Sequence, residues 1–252
     1  MSDDANVSME VFWKLHEGLP KQGPGSDPST RRALGLVPNL PDEPRILDIA
    51  CGPGRQTLVL AADTGGHVTA FDLLPPFLAQ VDERAREAGL TERITTAQGL
   101  MTELDRFEDA AFDLVWSEGA IYIIGFEKGL RAWQRLLAPG GTLAVTEATW
   151  LVDNPPDRIQ KFWDENYPAM QSHAANLEVI ERTGYTLVES FVLSEQEWWD
   201  DYYALIEPRI AALRKERSDP AWVAALDAAD HEAEIVRTCK GSYGYVFYVM
   251  QK

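Results

Sequence analysis

The stretch RILDIACGPGRQT, from Arg45 to Thr57, limits the possible folds of this chain more than any other feature. An apolar β-like run ends in an acid, passes through a turn bearing Gly52 and Gly54, and enters a helix. Such a turn lets a ligand come close to the backbone and leaves helix N–H groups directed at it. Asp72 lies 18 residues beyond Gly54, at the end of a second β-like run, VTAFDLL. A carboxylate there can accept both hydrogens of a ribose diol. Together the two features predict a nucleoside-bearing ligand on an open α/β sheet.

Between Arg45 and Leu151, β-like runs alternate with amphipathic helical stretches, the signature of βαβ units and a parallel sheet. Strands are expected at 45–50, 67–71, 93–97, 112–116 and 142–146. A helix is predicted over 76–89, where Phe77, Leu78, Val81, Ala85 and Ala88 recur at three- and four-residue intervals and Gly89 stops it. Another is predicted over 126–137, with Pro139-Gly140-Gly141 turning the chain into the next strand. A short helix over 28–36 would be N-capped by Ser26 or Asp27. Two final strands, 185–193 and 243–252, are expected to complete the sheet at its edge. The expected architecture is α/β: a Rossmann-like, seven-stranded, mostly parallel sheet with helices on both faces, an antiparallel last strand and extra helical cap segments. It would be one domain over 1–252, with an N-terminal cap or gate (1–40), a cofactor-binding core (41–150) and substrate-pocket insertions (151–184 and 194–242).

With 23 Lys plus Arg against 40 Asp plus Glu, the formal charge of −17 repels polyanions, which argues against nucleic acid as a partner. The two cysteines are too few for a disulfide framework, and no stretch approaches 18 uninterrupted apolar residues. A cytoplasmic protein with no membrane partner is expected, and monomer and homodimer both stay open. No metal ion is invoked.

Charge decides which nucleoside ligand fits. Asp48 stands four residues before Gly52, at the mouth of the turn. A pyrophosphate would bring negative charge towards it, whereas the ammonium of a methionine moiety would be attracted, directly or through water. The third glycine of a dinucleotide G-x-G-x-x-G fingerprint is also missing, because Thr57 occupies its place. Both observations favour S-adenosylmethionine over a dinucleotide.

The motifs agree with that choice. ILDIACGPG resembles motif I of the class I S-adenosylmethionine-dependent methyltransferases, FDLVWSEGAIYIIGFEKGL resembles their motif IV with its following helix, and LLAPGGTLAVTE resembles the segment leading into their fifth strand. KQGPGS, near Lys21, and WSEGAIYIIGFEKGL look like a bacterial branch of small-molecule methyltransferases with unassigned acceptors. The resemblance implies an enzyme that uses S-adenosyl-L-methionine, yields S-adenosyl-L-homocysteine and acts on a small organic acceptor. It puts Asp48, Gly52 and Gly54 against the methionine end, Asp72 on the ribose, Leu73 on the adenine or ribose face, and Gly99, Leu100 and Met101 around the adenine. Ala50, Cys51, Gln56, Thr57 and Ser117 complete the expected cofactor wall, with Gly23 from the N-terminal stretch. Two departures stand out. Leu100 occupies a usually acidic position, and Ala50 replaces the first glycine of the motif, which is expected to shift the turn slightly without loss of the site.

Methyl transfer from a sulfonium needs alignment and desolvation more than a dedicated base. Glu118, at the end of a central strand, is the expected proton acceptor, with Tyr122 beside it and His16 and His173 as weaker candidates. Binding the cofactor's amino group, or fixing the neighbouring turn, is an equal alternative for Glu118. The acceptor pocket is expected to draw on Trp13, His16, Trp150, Trp163, Tyr167, Trp199 and Tyr203, an aromatic and acidic lining suited to a cationic amine. Gln22 to Ser26 would gate the cofactor. Cys51 is read as structural, with no His adjacent. Two rival readings remain: a nicotinamide-dependent oxidoreductase on the same fold, which predicts dinucleotide affinity, and a non-catalytic S-adenosylmethionine-binding protein, which predicts no acceptor pocket.

Overall fold

A computed structural model describes residues 3–252. In chain order the elements are α1 (Asp3–His16), α2 (Asp27–Leu34), β1 (Arg45–Ile49), α3 (Arg55–Thr64), β2 (His67–Asp72), α4 (Pro75–Glu87), β3 (Ile94–Gln98), β4 (Phe112–Ser117), α5 (Phe126–Trp133), β5 (Leu137–Trp150), α6 (Asp157–Asn166), β6 (Gln171–Ser172), α7 (His173–Arg182), β7 (Thr186–Val192), α8 (Glu195–Trp198), α9 (Ala204–Leu213), α10 (Pro220–Thr238) and β8 (Tyr243–Gln251). A π-helical turn, Trp199–Tyr203, joins α8 to α9.

The strands lie in the order β3-β2-β1-β4-β5-β8-β7, all parallel except β8, which runs antiparallel to both of its neighbours. The seven-stranded expectation therefore holds along the sheet, and the two-residue β6 adds a short pairing to the end of β5. Strand order reverses between β1 and β4, and the crevice at the carboxyl ends of those strands is where open α/β sheets bind ligands.

Alternation along the strands sends one set of side chains to each face. Ile46, Leu114, Trp116, Ala144 and Phe247 pack with Leu60 and Val81 on one side. Leu47, Val115, Leu143, Val145 and Tyr248 pack with Leu130, Trp133 and Val179 on the other. Local chemistry sets the helix ends. Ser26 N-caps α2 in a capping box with Ser29, and two prolines open α4, where no intrahelical N–H partner is needed. Gly89, at φ 69°, ends the α4 turn as expected.

The fifth strand departs from expectation. It begins at Leu137 and not at Thr142, because Leu137 already pairs with Phe112. Leu114 then pairs with Thr142, so the Pro139-Gly140-Gly141 turn is accommodated as a bulge inside the strand. The preceding helix accordingly ends at Trp133 and tightens into a 3₁₀ turn over Gln134–Leu136.

A third apolar cluster lies apart from the sheet. Val11 and Leu15 of α1 meet Ile206, Ile210 and Leu213 of α9 and Trp222 and Leu226 of α10. Trp222 is fully buried, donates its indole N–H to the Leu213 carbonyl at 3.2 Å and carries the Arg217 guanidinium 4.4 Å above its ring. Among the described residues, no helix is long and apolar enough to cross a membrane. Removing the Trp222 side chain is expected to cost about 3–5 kcal/mol in urea unfolding, the usual range for a buried aromatic-to-alanine change. A loss below about 1 kcal/mol would mean that the cap contributes little to stability.

Candidate functional site

The β1–α3 turn is tied directly to the end of β2. The Asp72 carboxylate accepts from the Gly52 amide and from the Leu74 amide, each at 2.9 Å. Each carboxylate oxygen keeps further acceptor capacity, and burial raises the group's pKa against the opposing effect of these amides. Arg84 of α4 donates to the Pro53 carbonyl at 2.7 Å and to the Leu19 carbonyl at 3.1 Å, pinning the turn and the N-terminal segment to one helix.

The two turn glycines do different work. At Gly52, φ is 54° and a Cβ would meet nothing within 4 Å, so its backbone faces open space. At Gly54, φ is 87° and a Cβ would press on the Val81 side chain at 2.6 Å. Gly54 thus permits close packing of α4, and it is not on the cavity wall as expected. Ala50 adopts φ 56°, the left-handed region that explains why glycine is the usual residue there. The substitution places an L-residue where the backbone is strained.

Asp48 also corrects expectation. It is fully buried beneath the turn, where it accepts from Thr57 Oγ1 at 2.5 Å and from Gln56 Nε2 at 3.4 Å. Burial pushes its pKa up to about 7 despite those bonds. Neither Asp48 nor Thr57 reaches the cavity wall. Gln56 does, and it also donates to the Cys51 carbonyl at 3.0 Å, so Asp48 acts on the site by orienting Gln56.

One continuous cavity of about 590 Å³ opens over this turn. Of the expected cofactor residues, Ala50, Cys51, Gly52, Gln56, Asp72, Leu73, Gly99, Leu100, Met101 and Gly23 line it. Asp48, Gly54, Thr57 and Ser117 do not. Ser117 is fully buried, with its hydroxyl unpartnered. Burial raises the Cys51 thiol well above its ordinary pKa, consistent with a structural residue.

Glu118 and Tyr122 both line the cavity, but Glu118 is not the free base expected. Its Oε1 accepts from Thr30 Oγ1 and Trp116 Nε1, each at 2.8 Å, and its Oε2 pairs with the buried Lys21 ammonium. With its acceptor sites so engaged, Glu118 anchors the N-terminal segment. Further ties hold that segment: Arg55 to Asp27 at 2.7 Å and to the Gly25 carbonyl at 3.2 Å, and Ser26 Oγ to Glu197 at 2.6 Å. Gln22, Gly23 and Pro24 thereby lie on the cavity wall.

The far end of the cavity is aromatic. Trp163, Tyr167 and Tyr203 line it as expected, whereas Trp13, His16, Trp150 and Trp199 do not. Trp13 packs on Phe77, Trp150 on Tyr243 and Trp199 on Tyr203. His16 is buried, which lowers its pKa; its Nδ1 lies 2.8 Å from the Phe12 carbonyl and its Nε2 2.9 Å from the Tyr202 hydroxyl. Donation from Nδ1 leaves Nε2 to accept, so neutral His16 orients Tyr202, which does line the cavity. His173 lies apart, stacked on Tyr248. Behind Tyr167 sits Glu147, which accepts from the tyrosine hydroxyl at 2.7 Å and whose pKa is pushed up to about 8 by burial.

Lys21, Tyr245 and Glu232 also line the cavity, and none was singled out from the sequence. Glu232 left one signal: it interrupts the stripe Ala225, Ala229, Glu232, Val236 with an acid at helical spacing.

Residues 46–141 match the family model described as a methyltransferase domain. Over 120 residues the chain is 39% identical to a demethylmenaquinone methyltransferase from Thermus thermophilus, covering 46% of this chain and 52% of that protein. It is 28% identical over 176 residues to the uncharacterised protein YjhP of Escherichia coli, covering 68% of each. The structure resembles that of a SAM-dependent methyltransferase from Geobacter sulfurreducens in complex with S-adenosyl-L-homocysteine, with a TM-score of 0.81 at 22% identity, covering 96% of this chain and 97% of the other. The chain spans about half the length of the first curated relatives it matches.

The left-handed backbone costs an alanine roughly 1–2 kcal/mol, and the greater unfolded-chain entropy of glycine offsets about 0.4–1 kcal/mol of any relief. Ala50→Gly is therefore expected to stabilise the protein by about 0.5–1 kcal/mol in urea unfolding. A loss of stability would show that the Ala50 methyl contributes more by packing than it costs in strain.

Proposed function

We propose that this protein, whose residues 46–141 match a methyltransferase domain, is an S-adenosylmethionine-dependent enzyme that methylates a small organic acceptor. One observation carries the reading: a single cavity joins the Asp72–Gly52 edge to an aromatic chamber, so a nucleoside cofactor and an acceptor can lie end to end.

The residues present suit the cofactor. Gly52 and Gly23 border the cavity, and at both a Cβ would meet nothing within 4 Å, which leaves a cradle of bare backbone. Asp72 retains acceptor capacity for a ribose diol. Leu73 and Leu100 expose large apolar side chains at the same cavity, a surface for a flat purine, and Leu100 offers no side-chain hydrogen bond to it. In this reading Gln56 and the turn backbone line the methionine end. Bound there, the cofactor would supply a methyl group on a sulfonium, with a neutral thioether as leaving group.

The chain's own part is to bind, align and exclude water. Lys21, Glu118 and Thr30 hold the N-terminal segment across the cofactor end, while Tyr122, Tyr202 and Tyr203 border the acceptor end. Alignment and desolvation of this kind account for most of what such a transfer requires from the protein.

Isothermal titration with S-adenosylhomocysteine tests the reading. The wild-type protein is expected to bind it, and Asp72→Ala to weaken binding at least tenfold, roughly 1.4 kcal/mol or more. Preference for NAD, or affinity unchanged in the variant, would overturn it.

A further inference from the structure

Besides Asp72 and Asp48 at the turn, three glutamates meet or back this cavity, and they differ in their compensation. Glu118 has the Lys21 ammonium and two neutral donors. Glu147 lies behind Tyr167 and accepts its hydroxyl, while its second oxygen is buried without a partner. Glu232 lines the cavity itself, yet among the described residues its carboxylate accepts a hydrogen bond only from the Tyr203 hydroxyl, at 2.7 Å. Among the described residues no cation is paired with Glu232. Nearby cations are committed elsewhere: Arg158 to Glu234 and Arg237 to Glu207.

Five aromatic side chains, Tyr122, Trp198, Tyr202, Tyr203 and Tyr245, line the same cavity as Glu232. Burial, and with it the Glu232 charge, raises the pKa of Tyr122, Tyr202 and Tyr203. A half-buried carboxylate without a counter-charge keeps acceptor capacity for a cation, and aromatic faces attract cations. Such a chamber is complementary to a cation flanked by apolar groups and poor for an anion.

We infer that the acceptor is an amine, bound as its ammonium against Glu232 inside this aromatic chamber. The inference rests on the methyltransferase reading and names the substrate class for the same site. Before transfer the ammonium gives a proton to the Glu232 carboxylate, which frees the nitrogen lone pair. That lone pair forms the new N–C bond as the methyl C–S bond breaks, and the electron pair of the broken bond stays on sulfur. Burial raises the pKa of Glu232, which makes it a better proton acceptor than an exposed carboxylate. Glu232 is in this sense a specificity residue and a base, roles that the donors already on Glu118 leave vacant.

The test uses benzylamine, N,N-dimethylbenzylamine and benzyl alcohol as probes of similar shape, titrated into the protein with and without S-adenosylhomocysteine. Both amines are expected to bind at least tenfold more tightly than the alcohol at neutral pH. In Glu232→Gln that preference should fall to about twofold or less, with affinity for S-adenosylhomocysteine unchanged as evidence that the variant is folded. Equal binding of amine and alcohol, absence of amine binding, or a preference that survives in Glu232→Gln would overturn the inference and leave the cofactor reading intact. Failure of S-adenosylhomocysteine to bind the wild-type protein would overturn both. The wild-type comparison is decisive even where the variant does not fold.

Discussion

The Asp72 carboxylate, bonded to the amides of Gly52 and Leu74, joins the ends of two neighbouring strands into one ligand-facing edge. The rest of the site is arranged around that tie. It fixes where the β1–α3 turn ends relative to β2 and holds the Gly52 backbone against open space. It also draws the exposed Leu73 and the buried strand end into the same wall. Arg84 completes the arrangement by bonding the carbonyls of Pro53 and Leu19, so that the turn, α4 and the N-terminal segment are set by one guanidinium.

The cavity's acids divide the work according to what surrounds them. Asp48 sits under the turn and holds Gln56 and Thr57. Glu118 anchors the N-terminal segment that lines the cavity. Glu232 shares the cavity with aromatic side chains and has no counter-charge among the described residues. Identical chemistry thus yields a structural brace, a buried ion-pair anchor and a candidate ligand contact, and the difference lies in which donors the fold brings to each carboxylate. The −17 formal charge of the chain says nothing of this distribution, although it agrees with a site that repels polyanions.

The parts of the site that were legible in the sequence are those written by local chemistry. A strand ending in an acid, a glycine turn and an acid at the end of the next strand lie within 28 residues, and each carries its own backbone or hydrogen-bonding requirement. The parallel strands β1 to β5 follow from the same βαβ grammar, whereas the antiparallel β8 between β5 and β7 lies outside it. What was not legible depends on contacts between distant segments. Glu118 reads as a free base until Lys21, 97 residues earlier, is seen to pair with it. Trp13 and Trp199 read as pocket residues because aromatic type is visible in a sequence and direction is not. Glu232 and Tyr245 reach the cavity only through the packing of α10 and β8, which no local motif records. Asp48 illustrates the same limit over a shorter range, since its position at the turn was evident and its burial by Thr57 and Gln56 was not.

The central claim is that one cavity holds the cofactor and the acceptor in line, with Asp72 at one end and the tyrosine-lined chamber at the other. A crystal structure of the complex with S-adenosylhomocysteine tests it most directly. The account predicts the ribose hydroxyls on the Asp72 carboxylate and the sulfur facing the chamber bordered by Tyr122 and Tyr202. A ligand bound outside this cavity, or one whose sulfur faces away from that chamber, would contradict it.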